Sequence, residues 1–160
     1  MHNQLHKYGL KVIGFDFLKG RACLEDLMVN KFRRYPLKEE TALDIYTNQG
    51  TLHIATAPGF EFDGRSGPSI LDWYAPNLGT LEERMAWFAH DCNGYGLDLS
   101  FADTNVLLYA MLRDLAKYRV TKATMIQLAV SLSKGWYGIP KPNDWCYKNI
   151  GKVATLFMKA

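Results

Sequence analysis

The chain has few of the features that mark specialised protein classes. It holds three cysteines in 160 residues, Cys23, Cys92 and Cys146, and they stand far apart. An odd count without paired spacing excludes a disulfide framework and a zinc knuckle, and fits reduced, partly buried thiols. No run approaches ~20 uninterrupted apolar residues, so no membrane span is expected. The opening MHNQLHKYGLKVIG has no basic patch leading into an apolar stretch, so no secretory leader is expected. Charge of one sign is also scarce. The net charge is +3, and the one basic cluster, Lys31, Arg33, Arg34 and Lys38, is followed at once by Glu39 and Glu40. Such a cluster reads as a solvated face, and nucleic acid is not expected as a partner. Repeats, low-complexity tracts and long linkers are absent, which leaves one domain over residues 1–160.

What is present is apolar and aromatic: 48% of residues are hydrophobic, enough for a core without staples. Val12, Ile13, Phe15 and Phe17 predict a strand that ends at a Lys19–Gly20 turn, and Ala22 to Val29 reads as a second strand or a short helix, with the turn between the two runs favouring strand. Tyr35–Pro36 breaks the chain. Leu43, Ile45 and Tyr46, a turn at Asn48-Gln49-Gly50, and β-branched residues over 51–56 predict a hairpin closed by Pro58–Gly59. The character then changes. Thr80-Leu81-Glu82-Glu83 is a capping box opening a helix over about 81–95. Ser100 and Asp103 repeat the signature for a helix over about 101–118. Thr121 caps a third, over about 122–134. A loop with Trp136, Tyr137, Pro140 and Pro142 precedes a last helix, capped by Asn143 or Asp144 and running to near 158. The fold class is therefore α+β: a small N-terminal antiparallel sheet, mainly within 1–65, followed by a bundle of about four helices within 80–160.

Chemistry concentrates between Pro58 and Asp103. On the 81–95 helix, at ~100° per residue, His90 falls opposite the apolar stripe of Leu81, Met85 and Phe88. A second element must cover it there, and the segment 96–103 or the loop 60–73 is placed to do so. Asp91 lies near the helix C-terminus, where the dipole disfavours an anion by ~0.3–1 kcal/mol. It needs a cation, a metal or several N–H donors, and Arg84 is a distant partner. Asp103 occupies a position that favours an acid for local reasons, and Asp63 stands in an Asp-Gly turn. Taken together, Asp63, His90, Asp91 and Asp103 form an oxygen-rich set with one imidazole. That chemistry suits Mg²⁺, Mn²⁺, Ca²⁺ or Zn²⁺. His90 and Asp91 are the candidate catalytic pair, through a metal-activated water or a general base. There is no H-E-x-x-H and no G-x-S-x-G elbow, and His53 lies in a strand, which removes a helical His…His-Asp…Asp arrangement.

The sequence PGFEFDGRSGP over 58–68, a following Trp73, a helix ending AHDCNGY at Tyr95, and Ala102–Asp103 before an apolar helix form a set. It resembles the phage and prophage family called domain of unknown function 1353, over about residues 50 to 136. The carrying residues are Gly59, Phe60, Asp63, Gly64, Ser66, Trp73, His90, Asp91, Tyr95, Ala102 and Asp103. Gly67 departs from the pattern, which has an apolar residue between Ser and Pro. Cys92-Asn93-Gly94 lengthens the stretch between His-Asp and Tyr by one residue. The resemblance implies a phage-encoded α+β domain and supplies no activity.

Two functions follow as expectations. The first is a metal-dependent hydrolase of an ester, phosphoester or amide bond, acting in the host cytoplasm or from the virion, with Arg65, Ser66, Trp73 and Tyr95 lining the substrate pocket. The second is a non-catalytic phage protein, a virion component or an inhibitor of a host factor. Here the same polar groups brace the fold, and Trp136, Tyr137, Trp145 and Tyr147 offer a partner surface.

Overall fold

The computed structural model describes residues 4–28, 34–62, 79–96, 98–131, 149 and 151–160. Its elements run β1 (Val12–Lys19), α1 (Arg21–Glu25), β2 (Tyr35–Pro36), β3 (Thr41–Thr47), β4 (Gly50–Thr56), β5 (Glu61–Phe62), α2 (Leu81–Gly96), α3 (Phe101–Asp114), α4 (Val120–Ser131) and β6 (Val153–Lys159). The class is α+β. Strands β1, β3, β4 and β6 form one sheet in that order, every pair antiparallel, while β2 and β5 make a separate two-stranded ribbon.

The hairpin forms where the β-branched run and the turn residues place it. Thr47 faces Gly50 across the turn, and Ile45 faces Leu52. Leu43, Ile45, Leu52 and Ile54 point to the inner face and are buried. In β1 simple alternation fails. Irregularities between Val12 and Gly14 and between Phe17 and Lys19 shift the register. Val12, Phe15 and Phe17 therefore share the core side, while Ile13 and Leu18 are exposed.

Of the two alternatives for the segment after Gly20, residues 21–25 take the short helix rather than the favoured strand; an Arg21–Glu25 pair at 2.6 Å spans its one turn, and Leu24 is its buried anchor. Arg84 caps that helix, donating from Nη1 to the carbonyls of Leu24 and Glu25, and so is not the partner of Asp91. At the other end of the chain, residues 153–159 are a strand, not the end of a helix. Ala, Leu, Met and Lys in this segment favour helix locally. Pairing with the open edge of β4 and burial of Phe157 outweigh that preference. The segment 143–148, with the proposed cap, and the loop aromatics at 136, 137, 145 and 147 lie outside the described residues.

The helical layer covers the inner face of the sheet. Helix α2 packs on β4, β5, β6, α1 and α3; α3 also meets β1, and α4 lies against α3. Every residue of α2 from Met85 to Asn93 is buried. Full burial of side chains such as Met85 and Phe88 is worth about 1.5–3 kcal/mol each. Phe88 also meets the edges of Phe60 at 6.1 Å and Phe62 at 5.6 Å. The capping box is present: the Thr80 hydroxyl accepts from Glu83 N–H at 3.3 Å, and the Glu83 carboxylate accepts from Thr80 N–H at 3.2 Å. The same carboxylate accepts the phenol hydrogen of buried Tyr118. Thr121 lies inside α4 rather than capping it, because Arg119 O accepts from Ala123 N–H at 3.0 Å.

Two expected outcomes test this packing. Gly96 ends α2 against β6, and a methyl group there would overlap the Thr155 side chain. Thr is stiff at χ1, so Gly96→Ala should cost about 1–3 kcal/mol in urea denaturation, by forcing β6 away from the helix. Burial, then the hydrogen bond and charge of Glu83, push the Tyr118 phenol well above its usual range. With the folded value raised, the stability it lends is complete below pH ~10, where the phenol of the unfolded chain is still protonated, and is lost as pH rises further. Denaturation followed from pH 9 to 11 should show this loss, and Tyr118→Phe should flatten it.

Candidate functional site

Helix α2 carries His90, Asp91 and Asn93, and all three are buried in it. Among the described residues, α3 and α4 supply cover for His90; most of the loop 60–73 lies outside them. His90 Nε2 lies 3.0 Å from Asn105 Oδ1, Asn105 Nδ2 donates to Ser131 Oγ at 3.3 Å, and Ser131 Oγ donates to Gln127 O at 2.7 Å. A polar chain thus crosses three helices. The edge of Trp87 flanks the imidazole, with ring centroids 6.4 Å apart. On its other side His90 Nδ1 stands 3.7 Å from Asp91 Oδ1, with side-chain exposures of 2% and 1%. That separation is beyond a hydrogen bond. Neighbouring helical residues do not ordinarily face one another, so the approach is specific to this pair.

Asp103 is engaged elsewhere. Its Oδ2 accepts from Gln4 N–H at 2.5 Å and its Oδ1 from Leu5 N–H at 3.2 Å, which fastens the N-terminal arm to the start of α3. Its own N–H donates to the Ser100 hydroxyl at 3.1 Å, the capping half of the signature. Asp103 and Asn105 are two positions apart on α3, ~200° around the helix, so the carboxylate points away from the His90 side. The structure therefore brings His90 and Asp91 together and does not bring Asp103 to them. Among the described residues, no group of three or more His, Cys, Asp or Glu side chains is arranged to hold a metal ion. Asp63, Arg65, Ser66 and Trp73 lie outside the described residues. Tyr95 is half-buried, its ring edge-on to Phe60 at 6.0 Å.

Burial first, and the Asp91 charge second, push the thiol of Cys92, next to the pair, well above its usual range, which disfavours the thiolate. Asn105 and Ser131 were not among the residues expected from sequence. An Asn inside the apolar run of α3 was the available signal, since a buried amide requires partners. A second His–acid pair sits on the outer sheet face: His53 Nδ1 and Asp44 Oδ1 are 2.7 Å apart across β3 and β4.

Comparisons with family models, with curated proteins and with solved structures return no match. No helix among the described residues is long and apolar enough to cross a membrane.

Asp103→Ala should release the N-terminal arm. The expected result is fast hydrogen exchange at Gln4 and Leu5 and a stability loss of about 1–3 kcal/mol, as for hydrogen bonds to a charged group. Unchanged protection at those two amides would show that the carboxylate does not hold the arm.

Proposed function

We propose that the chain is a phage-encoded metal-dependent hydrolase in which His90 and Asp91 provide the core of a divalent-ion centre. One observation carries the reading: a buried imidazole nitrogen and a buried carboxylate oxygen face each other at 3.7 Å. An ion at ~2.0–2.2 Å from each holds a nitrogen and an oxygen roughly 3–3.5 Å apart, so a closure of a few tenths of an ångström completes the chelate. One imidazole with carboxylate oxygen suits Mn²⁺ or Zn²⁺, with Mg²⁺ and Ca²⁺ as the harder alternatives. Asp63, outside the described residues, is the further ligand of this proposal. Arg65, Ser66, Trp73 and Tyr95 are its substrate-lining residues. Such an ion, when bound, polarises the scissile carbonyl or phosphoryl group and acidifies water. The phage origin rests on the motif resemblance carried by Asp63, His90, Asp91 and Asp103.

A second reading, a non-catalytic phage protein acting in a virion or on a host factor, is favoured by the engagement of Asp103 with the N-terminal arm and of His90 with Asn105. It makes the same residues braces between elements.

Titration calorimetry of the chelator-treated protein with Zn²⁺, Mn²⁺, Mg²⁺ and Ca²⁺ separates the two. The hydrolase reading expects one ion to bind in 1:1 ratio, at least ~10-fold more weakly in His90→Ala, and turnover of ester, phosphoester or amide probes that this variant lacks while its circular dichroism is kept. If none of the four ions binds and His90→Ala lowers stability by about 1–3 kcal/mol, the hydrolase reading is overturned in favour of the brace.

A further inference from the structure

Ser131 is joined to His90 through one intervening side chain, Asn105. Ser131 Oγ donates its hydrogen to Gln127 O, one turn back in α4, over 2.7 Å. With that hydrogen committed, Oγ meets Asn105 as an acceptor, and the 3.3 Å contact is made by the carboxamide NH₂. This turns the carboxamide oxygen toward α2, where it lies 3.0 Å from His90 Nε2. An amide oxygen brings no hydrogen, so Nε2 must supply one. The reverse orientation would set the amide oxygen against a hydroxyl whose hydrogen is already spent. His90 and Asn105 are 3% and 2% exposed, so water does not readily substitute for either partner.

We infer that Asn105 and Ser131 are positioning residues that lock neutral His90 as the Nε2–H tautomer, which makes Nδ1 the lone-pair nitrogen on the Asp91 side. The use of that nitrogen rests on the hydrolase reading: Nδ1 is then the atom that ligates the ion or takes a proton, and Asn105 holds the ring in the plane that presents it. The tautomer itself rests on the hydrogen-bond chain alone. The two claims therefore fail separately.

The test is ¹⁵N NMR of the histidine rings in the full chain, at pH 8 and without metal, with His90 assigned by its loss in His90→Gln. Nε2 is expected at the N–H position and Nδ1 at the far-downfield position of a bare ring nitrogen. Asn105→Leu removes the acceptor for Nε2–H and should give averaged ring signals and, on the hydrolase reading, at least ~10-fold weaker Zn²⁺ or Mn²⁺ binding. Nδ1–H in the wild-type spectrum, both nitrogens protonated at pH 8, or an unaltered pattern in Asn105→Leu would each overturn the inference. If Asn105→Leu does not fold, the wild-type spectrum decides, together with Ser131→Ala, in which the freed carboxamide should partly lose the pattern. A bare Nδ1 in a protein that binds no ion would retain the positioning role and remove the hydrolase reading.

Discussion

A helix buried on every side dictates most of this structure. From Met85 to Asn93 every residue of α2 is buried, so this stretch of the helix cannot keep a polar face for water. Any polar group on it must find a partner inside the protein or cost about 1–3 kcal/mol. The surrounding elements are placed by that requirement as much as by apolar packing. Thr80 and Tyr118 meet Glu83 at one end. Asn105 of α3 meets His90 near the other, with Ser131 of α4 behind it. The order of the helices around α2 thus has a chemical reason: α3 and α4 bring the amide and the hydroxyl that a buried imidazole needs.

A second regularity concerns the acids. Asp98 accepts from Phe157 N–H on β6, Asp114 from Val12 N–H at the start of β1, and Asp103 from the amides of Gln4 and Leu5. Asn149 grips Glu61 of β5 by both its N–H and its carbonyl. Strands β1 and β6 are the two edges of the main sheet, where unpaired amides invite pairing with another chain. Carboxylates from the helical layer close part of both edges and tie sheet to helices with charge-assisted hydrogen bonds. An acid used this way already holds the fold together, so a count of carboxylates in the sequence is not a count of groups gathered at one site.

The parts of the fold that were legible in the sequence are those fixed by neighbours along the chain. The Thr80–Glu83 box, the Ser100 cap and the 48–50 turn each depend on atoms within four residues of one another. The parts that were not legible depend on distant segments. Residues 153–159 carry helix-forming side chains, and they become a strand because β4, a hundred positions earlier, leaves an edge open. Asp103 satisfied its local signature and was also expected at the site. Its carboxylate is taken by an N-terminal arm that no periodicity announces. In the sequence His90 and Asp91 stand out because an acid near a helix C-terminus, beside a histidine, is locally odd. Asn105 and Ser131 do not, because their meaning arises only when α3 and α4 fold back on α2.

The protein contains its own comparison for the His90–Asp91 pair. On the outer sheet face, Asp44 and His53, directly opposed across β3 and β4, close to a 2.7 Å hydrogen bond. In the core, where low dielectric makes such a bond stronger, His90 and Asp91 stay at 3.7 Å. The backbone accounts for the difference: Asp44 and His53 face each other across paired strands, whereas His90 and Asp91 are successive residues of one helix, whose side chains diverge by ~100°. The imidazole is held by its other nitrogen, 3.0 Å from Asn105 Oδ1, so the ring is oriented by α3 rather than by its neighbour in α2.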